Sequence, residues 1–424
     1  MSNSIPKGWK ESSIGQITAS KSLFSDGDWV ESKDQDPFGS NRLIQLADIG
    51  DGTFINKSAR FMNDEQFSRL RCTALQEHDI LIARMPEPLG RACLYPGKDR
   101  RAATVVDIAI IRTTNADHYW LMSAINSSQF RYQIDLNASG TTRTRIARGA
   151  LSKIKVLEPP LPEQKKIATI LSSVDEVIEK TRAQIEKLKD LKTGMMQELL
   201  TKGIGHTEFK DSPVGRIPSE WCSACLGSLL SKKPKYGANA PAVAYEPTSP
   251  RYIRITDILD NGELDTTSAV GIDPQAAEGY YLSKGDLLIA RTGNTVGKSY
   301  LHQGEILTVF AGYLIKFVIS PTVALPDYVY WYTKSHQFDN WIKNTSRIGA
   351  QPNINATEYS EMLLPLPPLS EQKAIVSTLD KIHNTIIQTD TKLHHLKHLK
   401  VGLMQDLLTG KVRVNVNQEE AATA

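Results

Sequence analysis

Three arginines fall within ten residues at Ser139-Gly140-Thr141-Thr142-Arg143-Thr144-Arg145-Ile146-Ala147-Arg148, interleaved with hydroxyls and a glycine. Little of this stretch is apolar, so it reads as a loop that presents cations and hydroxyl donors. Arginine forks pair with phosphate oxygens and with the guanine base edge, and hydroxyls pair with phosphate. The chemistry is therefore that of a loop lying on nucleic acid, with a plain solvated loop as the competing reading. A second stretch of similar make-up, Lys343 to Asn353, offers Lys343, Arg347, Gln351 and Asn353. Arg84 and Arg291 each follow an apolar run of strand length. Two glycine-containing loops end in a basic residue, at Gly90-Arg91 and at Gly293-Asn294-Thr295-Val296-Gly297-Lys298. Lys232, Lys233, Lys235 and Tyr236 form a basic loop that suits phosphate and open solvent equally.

Other chemistries are close at hand and fail on spacing. Thr292 to Ser299 nearly spells a phosphate-binding loop, but Thr292 stands where that pattern needs its first glycine. Cys222 and Cys225 have redox or half-zinc spacing, yet Cys72 and Cys93 do not form a second close pair. His394 and His398 are four apart, where a metal could sit, but the corresponding earlier positions are Glu186 and Asp190. There is no Asn-Pro-Pro-aromatic methyltransferase motif and no glycine-rich cofactor loop after an opening strand. A nuclease or methyltransferase activity in this chain alone is not expected.

The elements that must position these residues come in two copies. Pro159-Pro160-Leu161-Pro162-Glu163-Gln164-Lys165 returns 208 residues later as Pro367-Pro368-Leu369-Ser370-Glu371-Gln372-Lys373. At the same offset, Gly194-Met195-Met196-Gln197-Glu198-Leu199-Leu200-Thr201 returns as Gly402-Leu403-Met404-Gln405-Asp406-Leu407-Leu408-Thr409. The upstream stretches match more loosely: Ile5–Trp9 answers Ile217–Trp221, Arg42–Ile49 answers Arg251–Ile258, and Asp79–Arg84 answers Asp286–Arg291. The order is variable, matched, variable, matched.

Each matched segment carries apolar residues at alternating steps of four and three. The first seam includes Leu171, Ile178, Ile185 and Leu188; the second includes Leu379, Ile386, Leu393 and Leu396. Thr181 and Lys192, and again Thr389 and Lys400, fill the two polar seam positions. That is the heptad of a coiled-coil helix. Two helices are predicted, over about 163–202 and 371–409. Each has a glutamate in its first turn and ends at a glycine, Gly203 or Gly410. About 38 residues make a rod of roughly 57 Å. Gly194 and Gly402, inside the helices, suggest the close approach of another backbone, such as that of a partner subunit. Antiparallel pairing within one chain, with pseudo-two-fold symmetry, is favoured, and parallel pairing stays open.

The 424 residues predict two to four domains. Charge is modest: 50 Lys+Arg stand against 47 Asp+Glu, so partners or a few well-placed residues must supply much of any attraction to phosphate. Residues 1–155 hold 21 basic and 17 acidic side chains, whereas residues 213–365 hold 13 and 14. Four cysteines are too few for a disulfide scaffold and fit a reducing cytoplasm. No apolar run is long enough to span a membrane, and no signal peptide is visible.

With these repeats the chain resembles the specificity subunit of type I restriction–modification systems, from about Ile5 to Arg413. The Pro-Pro-Leu-x-Glu-Gln-Lys entries and the Gly-Met/Leu-Met-Gln-Glu/Asp-Leu-Leu-Thr endings carry the likeness, together with Gly349 to Tyr359. It implies a mixed α/β fold (α+β) with target-recognition domains at 1–155 and 213–362. Conserved helical regions would occupy 156–212 and 363–413, and residues 414–424 read as a disordered tail. The resemblance further implies a non-catalytic subunit that binds double-stranded DNA. Two methyltransferase subunits would dock on its helices, and two motor–nuclease subunits would join for restriction. S-adenosylmethionine, ATP and magnesium would belong to those partners. Each domain would read half of a split, asymmetric site, directing adenine N6-methylation and restriction. One departure is visible: Gln351 and Asn353 of the second domain correspond to Arg143 and Arg145 in the first. The expected DNA contacts are thus Arg84, Arg91, Thr141, Arg143, Arg145, Arg148, Arg291, Asn294, Lys298, Lys343, Arg347, Gln351 and Asn353. The rival reading is a coiled-coil adaptor without DNA sequence specificity.

Overall fold

An apolar run of strand length, apolar at every position, predicts a strand covered on both faces. The computed structural model describes residues 5–19, 22–140, 144–246, 249–259, 261–304, 306–346 and 352–416. In the first domain, β1 (Leu23–Asp26), β2 (Ile80–Ala83), β3 (Ala92–Leu94) and β4 (Ile108–Arg112) form an antiparallel sheet in the order β1-β4-β2-β3. Side chains alternate across the sheet. Ile80 and Ile82 therefore enter a core with Trp120, Phe130 and Ile134, while Leu81 and Ala83 enter another with Tyr95 and Ile110. The helices over the first core, His118–Ile125 and Ser128–Asn137, begin at Asp117 and Ser127, whose side chains accept the amides of Trp120 and Phe130. A smaller sheet places Asn41–Ile44 between Phe61–Met62 and a parallel partner, Ala102–Thr104.

The second domain repeats this construction. Strands β5 (Leu230–Tyr236), β6 (Asp286–Ala290), β7 (Ser299–Leu301) and β8 (Leu314–Ile319) take the order β5-β8-β6-β7. Arg251–Ile253 again runs parallel to a later strand, Thr308–Phe310. The matched aspartates Asp48 and Asp257 both close a 3₁₀ turn by accepting a backbone amide at 2.8 Å, from Gln45 and Arg254.

Two long helices follow the domains: α1 (Leu161–Thr201) and α2 (Leu369–Leu408). The chain divides into two compact units that cut both helices. One unit holds residues 1–182 and 391–424, the other residues 183–390. Each unit thus combines a globular domain with half of each helix, a partition that a linear reading of the sequence does not anticipate.

Inside each unit the helices run antiparallel. In the first, Glu163 meets Arg413 while Asp175 meets Lys400 at 2.7 Å. In the second, Glu371 accepts the amide of Ile204 while Lys192 lies 3.5 Å from His383. Advancing along one helix means retreating along the other, which closes the alternative of parallel pairing. Of the predicted seam, Leu171, Ile178, Ile185, Leu379 and Leu393 are buried; Leu188, Ile386 and Leu396 are half-buried. The polar seam threonines are buried too, and their hydroxyls donate to the carbonyls one turn back.

The repeated Glu-Gln pair explains its own recurrence. Glu163 accepts the Trp9 indole N–H at 3.1 Å and the Arg413 guanidinium. Gln164 bridges the Pro159 carbonyl and the Asp117 amide. Glu371 likewise accepts the Trp221 indole at 2.8 Å and faces His206, and Gln372 bridges the Pro367 carbonyl and the Leu325 amide. The motif fastens each helix start to its domain. Gly203 and Gly410 take the left-handed conformation expected just past a helix end, with φ of +67° and +68°. Gly194 and Gly402 lie inside the helices. Among the described residues nothing lies within 4 Å of where a Cβ would stand, so the chain itself brings no backbone against them. No helix among the described residues is long and apolar enough to cross a membrane.

Candidate nucleic-acid interface

Strands β2 and β6 deliver one arginine each to the same place in their domains. The Arg84 amide donates to Asp107 and its carbonyl accepts from Ile146. The Arg291 amide donates to Tyr313 and its carbonyl accepts from Ile354. Sheet register completes the equivalence. Asp26 on β1 stands opposite Ala109, which stands opposite Ile82, two residues before Arg84. Tyr236 on β5 stands opposite Ile315, which stands opposite Ile289, two residues before Arg291.

The environments of the two arginines differ. Arg84 is 3% exposed. One outer nitrogen pairs with Asp26 at 2.8 Å and the other donates to the Val106 carbonyl at 2.7 Å. Burial pushes its guanidinium below the usual value, against the opposing pull of Asp26. Arg145 pairs with Asp107 at 3.2 Å, and Arg148 lies 4.0 Å from Asp26. The first domain therefore holds a lattice of arginines and carboxylates, in which Arg145 and Arg148 keep about half-exposed side chains. In the second domain the Arg291 guanidinium lies 4.9 Å over the Tyr236 ring, and the Tyr236 hydroxyl accepts the Ala356 amide at 3.1 Å. Tyr313, at the place of Asp107, is 59% exposed.

Two of the residues expected to contact DNA are buried in the chain. Arg84 is sealed by its own partners. Arg91, 7% exposed, directs its donors at the carbonyls of Leu46, Ile49, Met85 and Pro88. Both turn their outer nitrogens to acceptors of the first domain, since leaving a buried cation unpaired is costly. Arg145 and Arg148 do gather beside Arg84. In the second domain, Asn353 bridges Thr292 directly after Arg291. Asn294 is exposed in the 3₁₀ turn Gly293–Thr295, and Lys298 lies just beyond it, before β7. Lys343 is exposed on the helix His336–Thr345. The neighbouring Ile342 of that helix approaches Gly297. Thr141, Arg143, Arg347 and Gln351 lie outside the described residues. Sequence reasoning passed over Asp26, Asp107 and Tyr313; only their register across the sheet brings them to the arginines.

Lys298-Ser299 leads into strand β7, whereas a phosphate-binding loop must open a helix. Cys222 and Cys225 are free thiols at the two ends of one strand. His394 and His398 pack ring against ring, 4.3 Å between centroids, and among the described residues no group of three potential metal ligands assembles.

The family described as "Type I restriction modification DNA specificity domain" matches residues 6–190 and again 218–398. The type I restriction enzyme MjaVIII specificity subunit of Methanocaldococcus jannaschii is 28% identical over 302 residues, covering 66% of this chain and 67% of the relative. A crystal structure of the type I restriction–modification S subunit from M. genitalium has a similar fold, with TM-score 0.58 at 15% identity, covering 94% of this chain and 96% of the other. A chain from a structure on complex assembly and conformational transition of the type I R-M system matches at TM-score 0.57 and 17% identity, covering 96% of this chain and 100% of that one. With two copies of the family domain spanning both repeats, the chain belongs to the type I restriction–modification specificity family.

Proposed function

We propose that this chain is the non-catalytic DNA reader of a type I restriction–modification complex. Each domain recognises one half of a split, asymmetric duplex site. The chain directs adenine N6-methylation by two methyltransferase subunits and restriction when two motor–nuclease subunits join. S-adenosylmethionine, ATP and magnesium act in those partners, which work in the cytoplasm. The boundaries 1–155, 156–212, 213–362 and 363–413, read from the repeats, divide the chain into reader, helix, reader and helix, with a tail at 414–424. One observation supports this reading above others: the same strand end carries a basic cluster in both copies, but the side chains around it differ. Two unlike readers on one scaffold suit an asymmetric site. Arg145, Arg148, Arg291, Asn294, Lys298, Lys343 and Asn353 are the described residues proposed to face DNA, with Thr141, Arg143, Arg347 and Gln351 beside them in sequence. The bare helix positions Gly194 and Gly402 suit docking of the methyltransferase subunits.

The test is a methylome. The chain is co-expressed with its cognate methyltransferase subunit in a methylation-free host, and N6-methyladenine is mapped by long-read sequencing. A single split motif that vanishes when this chain is omitted is the expected result. Methylation that is the same without the chain refutes the assignment, and co-purification without any methylated motif favours the adaptor.

A further inference from the structure

The residue facing the repeated strand-end arginine is aspartate in one domain and tyrosine in the other, at the same register across the sheet. We propose that this position, Asp26 or Tyr236, decides whether the arginine reads DNA: Tyr236 presents Arg291 to an acceptor on the duplex, whereas Asp26 withdraws Arg84 from it. The proposal rests on the DNA-reader assignment and adds a specificity-determining position to it.

A carboxylate and an aromatic ring treat a guanidinium differently. The carboxylate takes up donor N–H groups in the guanidinium plane, leaving fewer for a ligand. The ring meets the flat face and leaves the edge donors free to fork onto another group. At Arg84 one outer nitrogen is on Asp26 and the other on the Val106 carbonyl. At Arg291 the described residues give the guanidinium no acceptor; Nε is buried without a hydrogen bond in both arginines, so the difference lies at the outer nitrogens. Tyr236 is itself pinned by the Ala356 amide, so the ring is a fixed platform. Its neighbours fit this difference: Tyr313 and Asn353 of the second domain stand where the first has Asp107 and Arg145, an ion pair at 3.2 Å. The acceptor is the two-point edge of guanine or a phosphate, which present the same chemistry to the fork.

The experiment uses the complex with the methyltransferase subunits. Arg291→Ala, Arg291→Lys, Tyr236→Phe and Tyr236→Asp are compared by methylome and by affinity for a duplex carrying the wild-type motif at two salt concentrations. Tyr236→Phe keeps the platform and should keep the motif. Tyr236→Asp should close Arg291 and reproduce Arg291→Ala, with the first half-site unchanged. If the acceptor is guanine, both Arg291 variants and Tyr236→Asp lose roughly tenfold or more discrimination at one base pair of the second half-site. If it is phosphate, the motif survives in all variants. Arg291→Ala then binds all sequences more weakly and lowers the salt slope by about 1, while Arg291→Lys retains most affinity. The proposal is overturned if Arg291→Ala changes neither motif nor affinity. It is also overturned if Tyr236→Asp, with hydrogen exchange in β6 unaltered, keeps both the wild-type motif and the wild-type affinity. Failure of the underlying assignment looks different, because the wild-type complex would then show no motif dependent on this chain.

Discussion

Arg84 and Arg291 leave equivalent strands at the same step, and their backbones make equivalent hydrogen bonds. One is nonetheless a structural ion of the interior, and the other is a cation resting on an aromatic face at the rim. A repeated scaffold can therefore hold its backbone constant while a single cross-strand neighbour changes what the arginine contacts. The same holds at the helices. Asp175 with Lys400 is a direct ion pair in the first unit. Its counterpart in the second is Lys192 over the Trp331 ring at 4.7 Å, beside His383.

The sharpest way to break this comparison is to delete both arginines. Arg84→Ala removes a buried guanidinium that pairs with the partly exposed Asp26 and should cost about 2 kcal/mol of stability, seen as faster hydrogen exchange in β2. Arg291→Ala removes a half-buried cation stacked on Tyr236 and should cost about 1 kcal/mol. Equal losses would show that the two sites are alike.

A smaller effect separates the units by pH. Burial lowers the pKa of His302 and His383 below the ordinary 6.5, and Lys192 lowers that of His383 further. Below 6.5 the unfolded chain takes up these protons before the folded one does, so stability falls as pH drops from 6.5 toward the depressed folded values. Urea denaturation of the second unit, followed by exchange in β6, should show lower stability at pH 5.5 than at 7.5. His383→Gln should flatten part of that slope. A slope untouched by replacing both histidines would assign it elsewhere.

The smallest expected effect has the opposite sign. Gly194→Ala and Gly402→Ala each add a methyl group where nothing among the described residues stands within 4 Å, and should each stabilise the isolated chain by about 0.5–1 kcal/mol. Thermal melting measures this. Co-purification with the methyltransferase subunit shows whether the bare helix face is needed for docking; unchanged assembly would remove that role.

Much of the organisation is legible in neighbouring residues: the 208-residue repeat, the heptads of Leu171 and Leu379, the glycine stops at Gly203 and Gly410, and the buried strand before each arginine. These depend on local periodicity and on which residue types tolerate a positive φ, so adjacent positions carry them. Arg84 and Arg291 were also legible as a pair, but their roles were not. Asp26 reaches Arg84 from 58 positions earlier, through a strand order in which β4 lies between β1 and β2. Arg91 looks like a loop cation until four carbonyls close around it. Whether a charge faces water or its own chain depends on desolvation by distant segments, which sequence spacing does not record. Helix direction is of the same kind, since a heptad is compatible with either sense of pairing. The contacts of Glu163 with Arg413 and of Glu371 with Ile204 settle that sense within each unit, because only the folded chain brings those residues together.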